Sequence, residues 1–68
     1  MPLVLSAVIR RIEYDPVLRE LDVTFRETGS YTYGDVPRRV YDEFLAATSK
    51  GQFFNEQIRD RYPMVRKP

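Results

Sequence analysis

The sequence predicts an α+β domain in which a three-stranded antiparallel meander is followed by two short helices packed on one face, in the order β-β-β-α-α. Three observations carry this. Apolar and polar residues alternate over residues 20–26, turn-forming residues recur at Asp15-Pro16 and Glu27-Thr28-Gly29, and beyond Val36-Pro37 the apolar spacing lengthens to that of a helix.

The first strand ends at Tyr14, because Asp15-Pro16 presets a type I turn: proline fixes φ and aspartate can bond the backbone ahead of it. Ile12 and Tyr14 stand two apart and share a face. Ile9 is out of phase with them, so a bulge or bend is expected near Arg10-Arg11. In the second strand Leu21, Val23 and Phe25 alternate with Glu20, Asp22, Thr24 and Arg26, which sends one set to a core and the other to water.

The turn into the third strand decides where Tyr31 and Tyr33 point, since a slip of one residue reverses every side chain. A two-residue Thr28-Gly29 loop would force positive φ on a β-branched residue and would pair Arg26 with Tyr31 on the wet face. A three-residue Glu27-Thr28-Gly29 loop with Gly29 in the left-handed region is sterically easier. It pairs Phe25 with Tyr31 and Val23 with Tyr33, both on the core side.

Gly34-Asp35-Val36-Pro37 closes that strand and opens a helix, with Asp35 expected in the N-terminal cap region and Pro37 in the first turn. Val40, Tyr41, Phe44 and Leu45 form its apolar stripe, leaving Arg38, Arg39, Asp42 and Glu43 for solvent. Ser49-Lys50-Gly51-Gln52 has the capping-box pattern and starts a second helix, whose inward face is Phe54, Ile58 and Tyr62. Pro63 ends it. The expected organisation is one domain over residues 1–68, with a core of about 8–62 and a loose tail over 63–68.

Composition limits the chemistry. Histidine and cysteine are both absent, which removes the usual general base, the thiol nucleophile and the common zinc ligands. Ser6, Ser30 and Ser49 have no histidine to activate them, and Ser49 is explained as a helix cap. The carboxylate pairs Glu20/Asp22 and Asp42/Glu43 fall on solvent faces, and Gly29, Gly34 and Gly51 are too scattered for a phosphate-cradling loop. Neither an enzyme nor a cofactor or metal site is expected. Met1 to Ile9 does not read as a secretory signal, and no apolar run is long enough to span a membrane, so a cytoplasmic protein is expected.

Binding remains. The charge is nearly balanced, eleven basic against ten acidic residues, but nine of the eleven are arginine, which suits planar contacts with phosphate or carboxylate. Tyr31 and Tyr33 beside arginines suggest base stacking, although the favoured register makes both structural. Lys50, Arg59 and Arg61 with Arg66 and Lys67 could form one basic edge for a nucleic-acid backbone; helix solvation and favourable charge near a helix C-terminus explain the same residues.

A longer pattern runs through these elements: Ile9-x-x-Ile12-x-Tyr14-Asp15, Leu21-x-Val23-x-Phe25, Tyr31-x-Tyr33, Val36-Pro37 and Ser49-x-Gly51-x-Phe53-Phe54-Asn55-x-x-Ile58-Arg59-x-x-Tyr62. It resembles the KTSC domain from roughly Val8 to Tyr62. That family is named for its occurrence at the C-terminus of some lysyl-tRNA synthetases and also occurs as a stand-alone bacterial or phage-associated protein. The resemblance implies a small accessory module with RNA as the suggested ligand, and it makes Tyr31, Tyr33, Asn55 and Arg59 the matched positions. The second-turn glycine is shifted from the family's usual Asn-Gly hairpin. The alternative is a protein-interaction adaptor that docks on a larger enzyme or machine, motivated by the mixed-sign surface.

Overall fold

The computed structural model describes residues 8–65. Strands β1 (Ile9–Asp15), β2 (Glu20–Phe25) and β3 (Gly29–Tyr33) are followed by helix α1 (Arg38–Ala46) and helix α2 (Lys50–Phe53). Helix α2 runs directly into a π-helical segment, Phe54–Ile58, and a short strand β4 (Met64–Val65) closes the chain. The sheet is antiparallel in the order β1-β2-β3-β4. The α+β meander with two following helices is the expected architecture, and the fourth strand is an addition to it.

The bulge near Arg10-Arg11 is present: Ile9 pairs with Phe25 and Arg11 with Thr24, so Arg10 is the extra residue. This brings Ile9 into phase with Ile12, and both are fully buried. At the next turn the Asp15 carboxylate accepts from the amides of Val17 and Leu18 at 2.9 and 3.1 Å. Arg19 completes the turn in the left-handed region, φ 56°.

The register of β2 and β3 differs from the favoured one by two residues. Val23 pairs with Tyr31, Leu21 with Tyr33 and Phe25 with Gly29, so the turn is Arg26-Glu27-Thr28 and Gly29, at φ +93°, begins the strand. The reason lies on the outer face. In this register Thr32 donates to the Asp22 carboxylate and the Thr24 and Ser30 hydroxyls bond at 2.8 Å, two cross-strand pairs that the expected register would not form. A shift of two keeps parity, so both tyrosines still face the core. Tyr33 is buried and Tyr31 is half-buried against the core.

Two further expectations are corrected. Asp35 does not cap α1; it sits at φ 57°, and Pro37, extended at ψ 151°, is the cap position with no side-chain bond. The residue before a proline is held out of the helical region, so the helix cannot begin earlier. Val36 is instead pinned as a plug: its amide donates to Arg19 at 2.9 Å, its carbonyl accepts from the Tyr14 hydroxyl at 2.6 Å, and its side chain is fully buried. The tail beyond Tyr62 is also not loose throughout. Met64 and Val65 pair with Tyr33 and Thr32, and the Gly34 amide donates to the Pro63 carbonyl at 2.8 Å.

The core is continuous between sheet and helices: Ile12, Leu21, Val23 and Tyr33 from the strands meet Val40 and Phe44 of α1 and Phe54 and Ile58 of the second helix. Tyr14 stacks on Tyr41 at 5.2 Å and Phe44 on Phe53 at 5.3 Å, which locks α1 to β1 and to α2. Arg38–Asp42 and Arg39–Glu43 form exposed i,i+4 ion pairs on the outer face of α1. Ser49 accepts from the Gln52 amide at 3.3 Å as the expected cap, while the Gln52 side chain turns forward to Glu56. No helix among the described residues is long and apolar enough to cross a membrane.

Candidate functional site

An open concavity of about 680 Å³ lies where the β2–β3 hairpin meets the second helix. Its aromatic lining follows from strand parity and the helix face: Phe25, Tyr31 and Tyr33 project from the sheet toward Phe54. The rings join edge to face, Phe25 with Tyr31 at 5.7 Å, Phe25 with Phe54 at 5.0 Å and Tyr33 with Phe54 at 5.5 Å. Such contacts fix ring orientation beyond simple burial. Phe54 and Tyr33 form the floor, while half-buried Phe25 and Tyr31 keep ring surface accessible.

The polar rim comes from the second helix. Asn55, Arg59 and Asp60 line the concavity, with Gly51 one turn before Asn55. The amide of Arg59 donates to the Phe54 carbonyl at 2.9 Å, the five-residue span of a π turn, so the backbone widens where it presents these side chains. Asn55, Arg59 and Asp60 are exposed, and their side chains make no hydrogen bond or ion pair with a described residue. At Gly51 an added Cβ would meet only open space, which leaves the rim low there.

Tyr33 is the unusual member. Only 4% of it is exposed, it lines the concavity, and its hydroxyl has no hydrogen-bond partner among the described residues. Burial pushes its phenol pKa above the ordinary value; the Arg59 charge opposes the rise, and Tyr31 and Asp60 add to it. Tyr33, Tyr31, Arg59 and Asp60 all line the same concavity. A smaller hollow of about 270 Å³ adjoins it, sharing Val8, Phe25 and Thr28 and ending at Arg26 and Glu27.

Four of the site residues expected from the sequence, Tyr31, Tyr33, Asn55 and Arg59, converge in this concavity. Of the expected basic edge, only Arg59 among the described residues lines the concavity. The Lys50 ammonium donates to the Ala47 carbonyl at the end of α1, and Arg61 Nε donates to the Glu56 carbonyl at 3.1 Å, so both close helix ends. Arg66 and Lys67 lie outside the described residues. Arg10 and Arg11, at the bulge, do not line the concavity either. Phe25, Phe54 and Asp60 were not singled out; the two phenylalanines read as core, and Asp60 as the one acid in a basic stretch. No group of three or more acidic, histidine or cysteine residues among the described residues could hold a metal ion.

A family model for the KTSC domain matches residues 5–62. The chain is similar to a KTSC domain protein of Yersinia pestis whose crystal structure superposes with a TM-score of 0.93 at 39% identity, covering 98% of this chain and 94% of that one. It is 37% identical over 60 residues to a protein of Tsukamurella paurometabola, covering 88% of this chain and 90% of the relative. An uncharacterized protein of Stutzerimonas stutzeri is 33% identical over 57 residues, with 84% and 80% of the two chains covered.

Proposed function

The chain belongs to the KTSC domain family, and on that footing we propose that it is a non-enzymatic accessory module that binds single-stranded RNA through the aromatic concavity. The observation that carries this reading is the convergence of Tyr31, Tyr33, Asn55 and Arg59, widely separated in sequence, around one open hollow. Unstacked bases bind by stacking on aromatic side chains and are held by hydrogen bonds to their edges, which the accessible rings and the Asn55 amide can provide. The Arg59 guanidinium, which has no hydrogen-bond or ion-pair partner among the described residues, suits a phosphate or a base edge. A hollow of this size has room for a base freed from its stack. The non-enzymatic reading rests on the absence of histidine and cysteine from the whole chain, and an RNA ligand is consistent with work in the cytoplasm.

Fluorescence anisotropy with a short unstructured RNA at low and high salt tests this reading on the wild type, on Arg59→Ala and on an Arg38→Ala, Arg39→Ala control. Salt-sensitive binding weakened by Arg59→Ala and spared by the α1 control is the expected result. Binding indifferent to salt, or lost only in the α1 control, would place the ligand elsewhere.

A second reading, docking on a protein partner, is favoured by the β1–β2 turn, where Val17 is 87% and Leu18 59% exposed side by side. A Val17→Ser, Leu18→Ser variant that loses a co-purifying protein while keeping RNA affinity would support it.

A further inference from the structure

We infer that the base accepted by the concavity is guanine, recognised by Asp60 and Arg59 together; this rests on the RNA reading above. The starting observation is the carboxylate of Asp60. It lines the concavity next to Arg59, is exposed, and makes no ion pair or hydrogen bond with a described residue. In a surface that receives phosphates, a free carboxylate repels the ligand unless base donors meet it.

A carboxylate only accepts hydrogen bonds. Guanine alone among the four bases offers two donors side by side, N1–H and the 2-amino group. Adenine and cytosine each present one amino group beside ring acceptors, and uracil presents one N–H between two carbonyls. A guanidinium only donates, and it meets guanine O6 and N7 with two parallel bonds. The rim order of an acceptor-only group beside a donor-only group thus matches the guanine perimeter, where two donors adjoin two acceptors. Asn55 carries one donor and one acceptor and can turn its amide over, so it contributes affinity and little discrimination.

Tyr33 adds a hydroxyl to the same lining, and with no hydrogen-bond partner among the described residues it is open to a polar group of the ligand.

The test uses the full chain and four short uridine-based RNAs that differ in a single central base, read by fluorescence anisotropy. The guanine RNA is expected to bind about tenfold more tightly than the other three, the scale of one good bidentate contact. Asp60→Asn removes a negative charge, so it should strengthen binding of the all-uridine RNA while reducing the guanine preference to about twofold or less. Inosine, which lacks the 2-amino group, and 7-deazaguanine, which lacks N7, should each lose part of the preference, the first through Asp60 and the second through Arg59. Unchanged circular dichroism confirms that Asp60→Asn folds. Equal affinity for all four RNAs, still lost in Arg59→Ala, would overturn guanine selection and leave the RNA reading standing. A guanine preference that survives Asp60→Asn intact would also overturn it, and no binding to any RNA would overturn both.

Discussion

Phe54 accepts a hydrogen bond from the amide of Arg59 at 2.9 Å, five residues further along the chain. This π turn links the buried floor of the concavity to its charged rim. Phe54 is 7% exposed and packs on Phe25 and Tyr33, whereas Arg59 is exposed. Core and candidate site thus share one turn of helix, and π turns occur frequently at functional sites.

The division predicts that stability and binding separate by residue. Phe54→Ala should cost about 3–5 kcal/mol in urea unfolding, enough to unfold much of a domain this small. Asn55→Ala and Arg59→Ala, on exposed positions, should stay within about 0.5 kcal/mol of the wild type.

Gly34 admits strand β4. A Cβ there would stand 3.0 Å from Val65 Cγ2, beside the bond from the Gly34 amide to Pro63. Gly34→Ala should destabilise by roughly 1–3 kcal/mol and accelerate amide exchange at residue 34, and adding Val65→Ala should restore part of the loss.

Gly51 presents the opposite case. It lies within α2, where an added Cβ meets open space, so Gly51→Ala should raise stability by about 0.5–1 kcal/mol through helix propensity alone. A matched thermal and urea series on the two variants checks both.

Tyr33 sets an alkaline limit. Burial raises its phenol pKa above the ordinary 10.0, against the opposing Arg59 charge. A phenol that holds its proton more firmly when folded contributes stability that is fully present below the unfolded pKa and lost as pH rises through the folded one. Stability should therefore decline above about pH 10, and Tyr33→Phe should lessen that decline.

Much of the fold was legible because local periodicity encodes it. The alternation of Leu21, Val23 and Phe25 marks β2, and the phase break between Ile9 and Ile12 marks the bulge. The core side of Tyr31 and Tyr33 was legible through parity, but their partners were not: the register depends on the outer-face bonds of Asp22 with Thr32 and Thr24 with Ser30, which no local spacing records. Strand β4 was hidden because two residues carry no period and its docking depends on the missing side chain of Gly34. The π turn was hidden because Phe54 and Ile58 fit an ordinary helix equally well. Within the site, the resemblance identified Tyr31, Tyr33, Asn55 and Arg59. Grouping by charge set Lys50 and Arg61 beside Arg59, but charge alone does not reveal that each closes on a helix carbonyl away from the concavity's lining.

The most direct measurement is a two-dimensional NMR titration of the isotopically labelled chain with a short single-stranded RNA. RNA in the concavity predicts saturable shifts at Tyr31, Tyr33, Asn55 and Arg59, with those at Arg38, Arg39, Val17 and Leu18 unmoved. Shifts confined to α1 or the β1–β2 turn, or no shifts at all, would contradict it.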